Sequence, residues 1–147
     1  MDHLTKKHRS WNMSRIKSKN TKPEILVRRY LFNNGLRYRV NGKISKREFS
    51  KGTLPGKPDL VFKKYHTVLF VNGCFWHSHK GCKKSHLPKS NIDYWKTKLT
   101  NNRLRDERNY QILRGLGFHV LLIWECEVNE ASKLEELYRD IIGAKEI

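Results

Sequence analysis

A short segment in the middle of the chain constrains the fold more than any other part of the sequence. This segment, Val71 to Cys82, reads V-N-G-C-F-W-H-S-H-K-G-C and contains Cys74, His79 and Cys82 in the spacing C-x4-H-x2-C. A further cysteine, Cys126, comes at the end of the last apolar run. Three thiolates and one imidazole suit a tetrahedral zinc ion, and four protein ligands leave no open position, so such a site is structural. Zinc would then tie an irregular loop to the C-terminal strand.

The alternative is that Cys74 and Cys126 are ordinary buried residues beside strands, as free cysteines often are. The two cysteines of the segment stand among polar residues rather than in an apolar stripe, which favours zinc. The total of three cysteines leaves a disulfide framework incomplete, and in a reducing compartment this favours metal binding or plain burial.

The charge of the chain indicates a polyanionic partner. Lys and Arg number 31 against 14 Asp and Glu, giving a formal charge of +17, while 37% hydrophobic content argues against a disordered basic tail. The basic residues are scattered along the chain and not gathered on one amphipathic helix, so nucleic acid is favoured over a membrane surface.

The length of 147 residues predicts a single domain, which we expect to act as a monomer. No apolar segment approaches the ~20 residues that a membrane span needs. The N-terminus lacks the apolar core of a signal peptide, which predicts a cytosolic protein without a membrane partner.

The chain divides into a predicted basic arm, residues 1–20, and a domain, residues 21–147. The arm carries six Lys or Arg and few sizeable apolar residues, which is typical of a segment lying against phosphates. The first helix of the domain should begin at Thr21, because T-K-P-E has the form of a capping box with Glu24 as its partner and proline in the first turn. It should end at Gly35.

Alternating and continuous apolar runs predict the other elements. The first are a strand from Leu36 to Val40, a turn-rich basic stretch up to Pro58, and strands from Asp59 to Phe62 and Thr67 to Asn72 joined as a hairpin. A helix follows from Asn91 to Gly115 or Gly117, with a break near Thr100 to Asn102. The last are a buried strand from Phe118 to Trp124 and an amphipathic helix from Glu130 to Ile142. This order predicts an α/β sandwich, with a mixed central sheet flanked by helices.

The Pro58-Asp59 pair at the start of a strand is similar to the beginning of the divalent-metal site of PD-(D/E)xK nucleases, the restriction-endonuclease-like fold. There a carboxylate at the edge of a sheet binds Mg²⁺. The E-x-K of that motif is absent, since the matching positions read F-V-N-G from Phe70 to Gly73. The alternative is that Asp59 is an ordinary turn residue that begins a strand.

Many separate motifs in the right order give the chain a resemblance to a known family over almost its whole length. The matches are Arg9-Ser10, Asn12-Met13, Ile16, Thr21, Glu24, Pro55-Gly56-Lys57-Pro58-Asp59, Gly73-Cys74-Phe75-Trp76-His77, Tyr94-Trp95, Arg105-Asp106 and Trp124-Glu125-Cys126. In these the chain resembles the Vsr endonucleases of very short patch mismatch repair.

The resemblance implies an activity and its partners. A Vsr-like enzyme would be a Mg²⁺-dependent DNA endonuclease that nicks one strand of a duplex 5′ of the thymine of a T:G mismatch. The mismatches would arise from deaminated 5-methylcytosine, with a cytosine methyltransferase and MutL as functional partners, and the work would be done at the bacterial nucleoid.

The same resemblance implies roles for individual residues. Asp59 looks like the carboxylate that binds catalytic Mg²⁺, with the main-chain carbonyl of Val71 as a further ligand. His77 matches the candidate general base, and an imidazole suits this task because its pKa lies near working pH. Asp106 matches the acidic residue that supports this histidine, and Glu24 one that orders water beside the metal.

The resemblance also implies DNA contacts. Phe75, Trp76 and Trp95 match aromatic residues that wedge into the duplex beside the mismatch, where unstacking a base step costs less than at a matched pair. The other matching DNA-binding positions lie in the basic arm and are Arg9, Asn12 and Met13.

Each of these residues has an alternative interpretation. Glu24 could serve only the capping box, and Asp106 could be one solvated charge among the arginines around it. Trp95, at the start of a helix with Tyr94, would ordinarily be a core residue. His77 could replace His79 as the zinc ligand, although the resemblance assigns that position to His79.

The chain departs from the family pattern in three places. Asn72 stands where a histidine or an acidic residue is common, Val71 where some members have threonine, and Lys80-Gly81 lengthens the zinc loop. Two rival functions therefore stay open: a sequence-specific restriction or nicking endonuclease acting on matched DNA, and a zinc-stabilised DNA-binding protein without catalysis.

Overall fold

Four strands form one mixed sheet in the computed structural model, which describes residues 21–144. The predicted basic arm with Arg9, Asn12 and Met13 lies outside the described residues. Within the described range, the helices are α1 (Lys22–Asn33), α2 (Ile92–Gly115) and α3 (Ala131–Ile142). The strands are β1 (Arg39–Val40), β2 (Leu60–Phe62), β3 (Thr67–Asn72) and β4 (His119–Trp124).

The strand order is β1-β2-β3-β4, with antiparallel pairing of β1 to β2 and of β2 to β3 and parallel pairing of β3 to β4. A parallel pair needs a long crossover, and here the Cys/His loop and α2 provide it. In consequence, β1, β3 and β4 end, and β2 begins, at the same edge of the sheet. We call this edge the site edge.

Helices cover both faces of the sheet. On one face the buried cluster includes Val27 and Leu31 of α1, Leu69 of β3, and Leu137 and Ile141 of α3. On the other face, β2 and β3 pack against the side of α2 in a second cluster of Leu54, Val61, Val68, Phe70, Tyr110, Leu113 and Phe118. The predicted α/β sandwich around a mixed sheet is confirmed, and so are the hairpin and the amphipathic closing helix.

The predicted capping box is wrong, although α1 begins where it was expected. Thr21 makes no side-chain capping hydrogen bond, and the helix starts with proline in its first turn. The carboxylate of Glu24 is buried and accepts a hydrogen bond from Arg28 Nη2 at 3.3 Å. Glu24 therefore faces the protein interior and does not pair with Thr21.

Three further predictions differ from the structure. The strand expected from Leu36 contains only Arg39–Val40, because the Leu36 N–H still bonds to Leu31 O at 3.1 Å in the turn that ends α1. The break expected in α2 is absent, since the helix runs without interruption for 24 residues. The last strand, expected to be buried, has Ile123 as its one buried residue, because β4 is an edge strand.

Among residues 21–144, the helices are too short or too polar for any of them to cross a membrane.

Candidate active site and metal centre

The four residues predicted to bind zinc come together at the site edge. One ligand atom from each of Cys74, His79, Cys82 and Cys126 lies within 4.8 Å of all the others. The Cys126 Sγ is 3.5 Å from the His79 Nδ1. A tetrahedral zinc ion with ordinary Zn–S and Zn–N bonds would separate sulfur and nitrogen ligands by about 3.6 Å. The chemistry and spacing of these donors therefore fit a metal ion such as zinc.

The surroundings of the cluster orient its ligands. The Cys74 N–H donates to Glu125 Oε1 at 3.0 Å, and the Trp124 ring stacks on the His79 ring with centroids 4.1 Å apart. The His79 N–H also donates to Cys74 O at 2.9 Å. These contacts place the loop against the end of β4 and orient the ligands towards one another.

The thiols differ in their readiness to ionise. Burial raises the pKa of Cys74 to about 12, and burial also raises the pKa of Cys126. The peptide N–H of Lys84 lowers the pKa of Cys82. Metal binding must therefore displace protons from at least two of the thiols, which couples metal affinity to pH.

A second group of polar residues lies where β2 begins. Asp59 Oδ2 accepts a hydrogen bond from the Val71 N–H at 2.6 Å, which brings together the two predicted magnesium ligands. Burial raises the pKa of Asp59 to about 7; the Val71 N–H opposes this shift, and the charge of Glu24 adds to it. Two partly or fully buried carboxylates side by side are costly unless a cation joins them. These hard oxygen donors suit Mg²⁺.

The pair of His77 and Asp106 joins the loop to α2. His77 Nδ1 lies 2.5 Å from Asp106 Oδ2, and the side chains are 26% and 15% exposed. With Nδ1–H donated to the carboxylate, Nε2 is left as the basic nitrogen. Asp106 is thus a hydrogen-bond partner and not a solvated surface charge. The structure also separates His77 from His79, which lies in the Cys/His cluster.

The neighbouring hydrogen bond between Asn72 and Tyr110 was not predicted from the sequence. The Asn72 Nδ2 donates to the Tyr110 hydroxyl at 3.1 Å, and both residues are buried. Tyr110 follows Asp106 by one helical turn, so one face of α2 meets the loop twice. The spacing of four residues between Asp106 and Tyr110 was the one sequence feature that could have indicated a role for Tyr110. Burial raises the pKa of Tyr110 to about 12.

The predicted aromatic wedge is a connected group of rings. The ring centroids of Phe75, Trp76 and Trp95 lie 5.1 to 5.9 Å apart in edge-to-face contacts. Tyr94 packs edge-on against Trp95 and is 59% exposed. The alternative of a core role is wrong for Tyr94, while the other three rings are half-buried. The Asn102 Nδ2 donates to Trp76 O at 3.3 Å and fixes the group to α2.

Comparison with known proteins decides the family. The family model described as DNA mismatch endonuclease Vsr matches residues 1–84, more than half of the chain. The chain belongs to the Vsr family of DNA mismatch endonucleases. The type II nicking enzyme V.NmeAIP of Neisseria meningitidis is 45% identical over 147 residues, which cover 97% of this chain and 98% of the relative.

Two further relatives are similar to this chain over most of its length. The type II nicking enzyme V.XorIIP of Xanthomonas oryzae is 42% identical over 141 residues, 96% of each chain. The DNA mismatch endonuclease Vsr of Escherichia coli is 35% identical over 128 residues, 87% of this chain and 76% of the relative. As a Vsr-family endonuclease the protein is a DNA-acting hydrolase, so the non-catalytic alternative is set aside.

Proposed function

We propose that this Vsr-family endonuclease nicks one strand of duplex DNA 5′ of the thymine of a T:G mismatch, by Mg²⁺-dependent hydrolysis of the phosphodiester. The observation that carries the proposal is the His77–Asp106 pair, 2.5 Å apart, at the same sheet edge as the Asp59 carboxylate and the Val71 main chain. A base and a hard-cation site at one edge are what metal-assisted hydrolysis requires.

The residues that would hold Mg²⁺ are Asp59, through its carboxylate, and Val71, through its main-chain carbonyl. When bound, Mg²⁺ neutralises negative charge that develops on the scissile phosphate. Glu24, buried beside Asp59, would orient water at this site through its carboxylate oxygens. Arg28 contacts Glu24 and offsets part of the negative charge that the two acids concentrate.

His77 would take the proton from the attacking water. Its Nδ1–H is donated to Asp106, which holds the ring in one tautomer and stabilises the imidazolium that forms when Nε2 accepts the proton. As the water oxygen bonds to phosphorus, the P–O bond to the leaving oxygen breaks, and that oxygen takes a proton from solvent. The proton on Nε2 is then released to solvent. This division of work gives Asp106 a positioning role and His77 the chemical one.

The Cys/His cluster would bind one structural zinc ion. Four protein ligands leave no position for water or substrate, so the ion would hold Cys74, His79 and Cys82 of the loop to Cys126 after β4. The catalytic histidine lies between two of these ligands in sequence, so zinc would fix the backbone from which it projects.

Phe75, Trp76 and Trp95 would enter the duplex at the mismatch. Their rings already contact one another and are partly exposed, so little reorganisation is needed before insertion. A base step costs less to unstack at a mispair, so insertion discriminates T:G from T:A. Arg9, Asn12 and Met13 would add contacts from the basic arm.

The test is a nicking assay on strand-labelled duplexes that place T:G or T:A within a panel of flanking sequences. We expect Mg²⁺-dependent nicking of the thymine strand of T:G duplexes, lost by about 10²-fold or more in His77→Ala. His119→Ala is the matched control, because His119 is exposed at the opposite end of β4. Nicking that survives in His77→Ala would exclude this histidine as the base.

A second candidate function is nicking of fully paired DNA at a specific sequence. Relatives 45% and 42% identical are named type II nicking enzymes, which favours it. The same panel separates the two functions, since cutting of T:A duplexes at one sequence would establish the second. In the mismatch enzyme, replacing Phe75 and Trp76 together by alanine should remove the preference for T:G.

The cellular context we propose follows from the mismatch. T:G pairs of this kind come from deaminated 5-methylcytosine, so a cytosine methyltransferase supplies their origin and MutL is a functional partner in repair at the bacterial nucleoid. The enzyme would act in the cytosol as a monomer. Sedimentation velocity with and without a T:G duplex checks the monomer, and addition of MutL to the nicking assay checks the partner.

A further inference from the structure

A basic concavity lies between β1 and the segment that links β1 to β2, residues 41–57, which we call the basic loop. The concavity is open to solvent and has a volume of about 640 Å³. No acidic side chain of the described residues lines it. Four cationic side chains do, and these are Arg39, Lys43, Lys46 and Lys51. Its other polar lining comes from Tyr38 and Thr53.

The basic loop is an anchored scaffold. Lys43 and Thr53 form a β-bridge, and the Leu54 N–H donates to Gly42 O at 2.9 Å. Leu54 is 2% exposed and belongs to the core cluster under α2, against which Phe49 also packs. A side chain at Gly42 would come within 2.8 Å of the Lys57 backbone, so the base of the loop is closed tightly. The backbone positions that carry the cations are therefore fixed relative to one another.

The basic loop is at the site edge. It leaves the end of β1 and returns to the start of β2, and the Asn41 N–H donates to Asp59 O at 3.1 Å. The first residue of the basic loop is thus bonded to the backbone of the proposed magnesium ligand. The basic loop and the proposed magnesium site therefore adjoin each other at the site edge.

The charge of the concavity is not neutralised by its own loop. Glu48 is the only acid between residues 41 and 57, and its Oε1 pairs with Lys63 Nζ at 3.9 Å, outside the lining. Clustered cations on a concave surface raise the local concentration of a phosphate chain. The tyrosine and threonine hydroxyls add hydrogen-bond donors of the kind that contact phosphate oxygens.

We propose that the concavity binds backbone phosphates of the duplex outside the mismatch and so sets the position of the DNA on the enzyme. This inference rests on the proposed function, in that the substrate is a duplex. Phosphate contacts hold the register of a protein on DNA and carry no base information. Phosphate binding in the concavity should therefore increase the affinity for T:G and for T:A duplexes by the same factor.

The experiment compares Lys46→Gln/Lys51→Gln with Lys64→Gln/Arg114→Gln. The control removes the same charge from exposed side chains at the opposite edge of the sheet. Duplex affinity is measured by fluorescence anisotropy without Mg²⁺, between about 50 and 300 mM salt. We expect Kd to rise about tenfold in the first variant for both duplexes, and the slope of log K against log salt to shrink by about 2.

Ethylation interference locates the contact. Ethylation at one or two phosphates outside the mismatch should weaken binding of the parent enzyme and have no effect on binding of Lys46→Gln/Lys51→Gln. Equal losses of affinity in the two double variants would mean that only the net charge of the protein matters. Unchanged affinity would mean that the concavity does not bind the duplex and is open to another partner, such as an acidic protein. Either result overturns the proposal. Because binding is measured without nicking, a failure of T:G cleavage is a separate result.

Discussion

Two sets of residues in the segment from residue 71 to residue 82 are attached to the domain in different ways. One set, Asn72 and His77, meets α2 through side-chain hydrogen bonds to Tyr110 and Asp106. The other set, Cys74, His79 and Cys82, converges on Cys126 in a cluster that could hold a metal ion. The hydrogen bonds orient particular side chains, whereas a metal ion in the cluster would hold the main chain.

Substitutions in these two sets should affect activity and stability to different degrees. A hydrogen bond contributes about 1 kcal/mol net to stability, or more when charged, while a structural zinc ion contributes about 10–16 kcal/mol of binding free energy to a folded site. Changes on the α2 side should therefore affect the reaction with small effects on folding. Changes in the ligand cluster should affect both.

Cys126→Ser should have the largest effect. Loss of this thiolate removes the link between the loop and β4, so we expect loss of bound zinc, a clear fall in melting temperature and loss of nicking. Metal analysis, thermal melting and the T:G nicking assay measure these. Cys126→His keeps a zinc ligand and should recover part of each property; a Cys126→Ser protein that melts like its parent would show that the cluster does not hold the loop.

Asp106→Asn should separate activity from folding. The amide keeps the shape of the side chain but cannot stabilise an imidazolium, so we expect kcat to fall by roughly 10²–10⁴-fold with little change in melting temperature. Glu107→Gln is the control, because Glu107 is its exposed neighbour on α2. Equal kcat in both variants would remove Asp106 from the mechanism.

Asp59→Asn tests the buried carboxylate that is bonded to the Val71 N–H, through the pH dependence of stability. The pKa of Asp59 is about 7 in the folded protein against 3.8 ordinarily, so the native state holds the proton more tightly and the parent loses stability as pH rises between these values. Above pH 7, without Mg²⁺ and with zinc retained, the variant should be more stable by on the order of 2 kcal/mol.

Urea unfolding at about pH 5 and pH 8 measures this difference, which should be smaller at the lower pH. Asp93→Asn is the control, because Asp93 is exposed in the first turn of α2. Added Mg²⁺ should narrow the gap by stabilising only the parent. A gap that does not depend on pH would contradict the raised pKa.

Tyr110→Phe should have the smallest effect. It leaves the buried Asn72 amide without its acceptor, which costs about 1 kcal/mol, and we expect less than a tenfold fall in kcat with His77 still held by Asp106. Tyr94→Phe, at an exposed hydroxyl, is the control for loss of a phenol. A loss of kcat as large as that of Asp106→Asn would mean that the two pairs on α2 act as one.

The parts of the molecule that depend on local patterns could be predicted from the sequence. The hairpin and the amphipathic helix follow from local periodicity, and Cys74, His79 and Cys82 follow from their spacing within one short segment. Cys126 could be added because it is the one remaining cysteine of the chain and ends the last apolar run. The Asn72–Tyr110 and Cys74–Glu125 hydrogen bonds join residues that are 38 and 51 positions apart in the sequence. They depend on how distant segments align, so no local pattern predicts them.

The wrong predictions have the same origin. The capping box failed because the Glu24 carboxylate turns towards Arg28 and Asp59, which a helix-start motif cannot foresee. The break expected in α2 is absent where Asn102 is bonded to the main chain of Trp76, so tertiary contact overrides a weak local preference.

The parallel pairing of β3 with β4 makes assembly of the site a late event in protein synthesis. Cys126 lies 47 residues after His79, and Glu125 lies 51 residues after Cys74. A nascent chain that stops before β4 already contains Asp59, His77 and Asp106 but lacks both β4 and the last ligand that would hold the loop. We therefore expect incomplete copies of this nuclease to be unable to cut DNA.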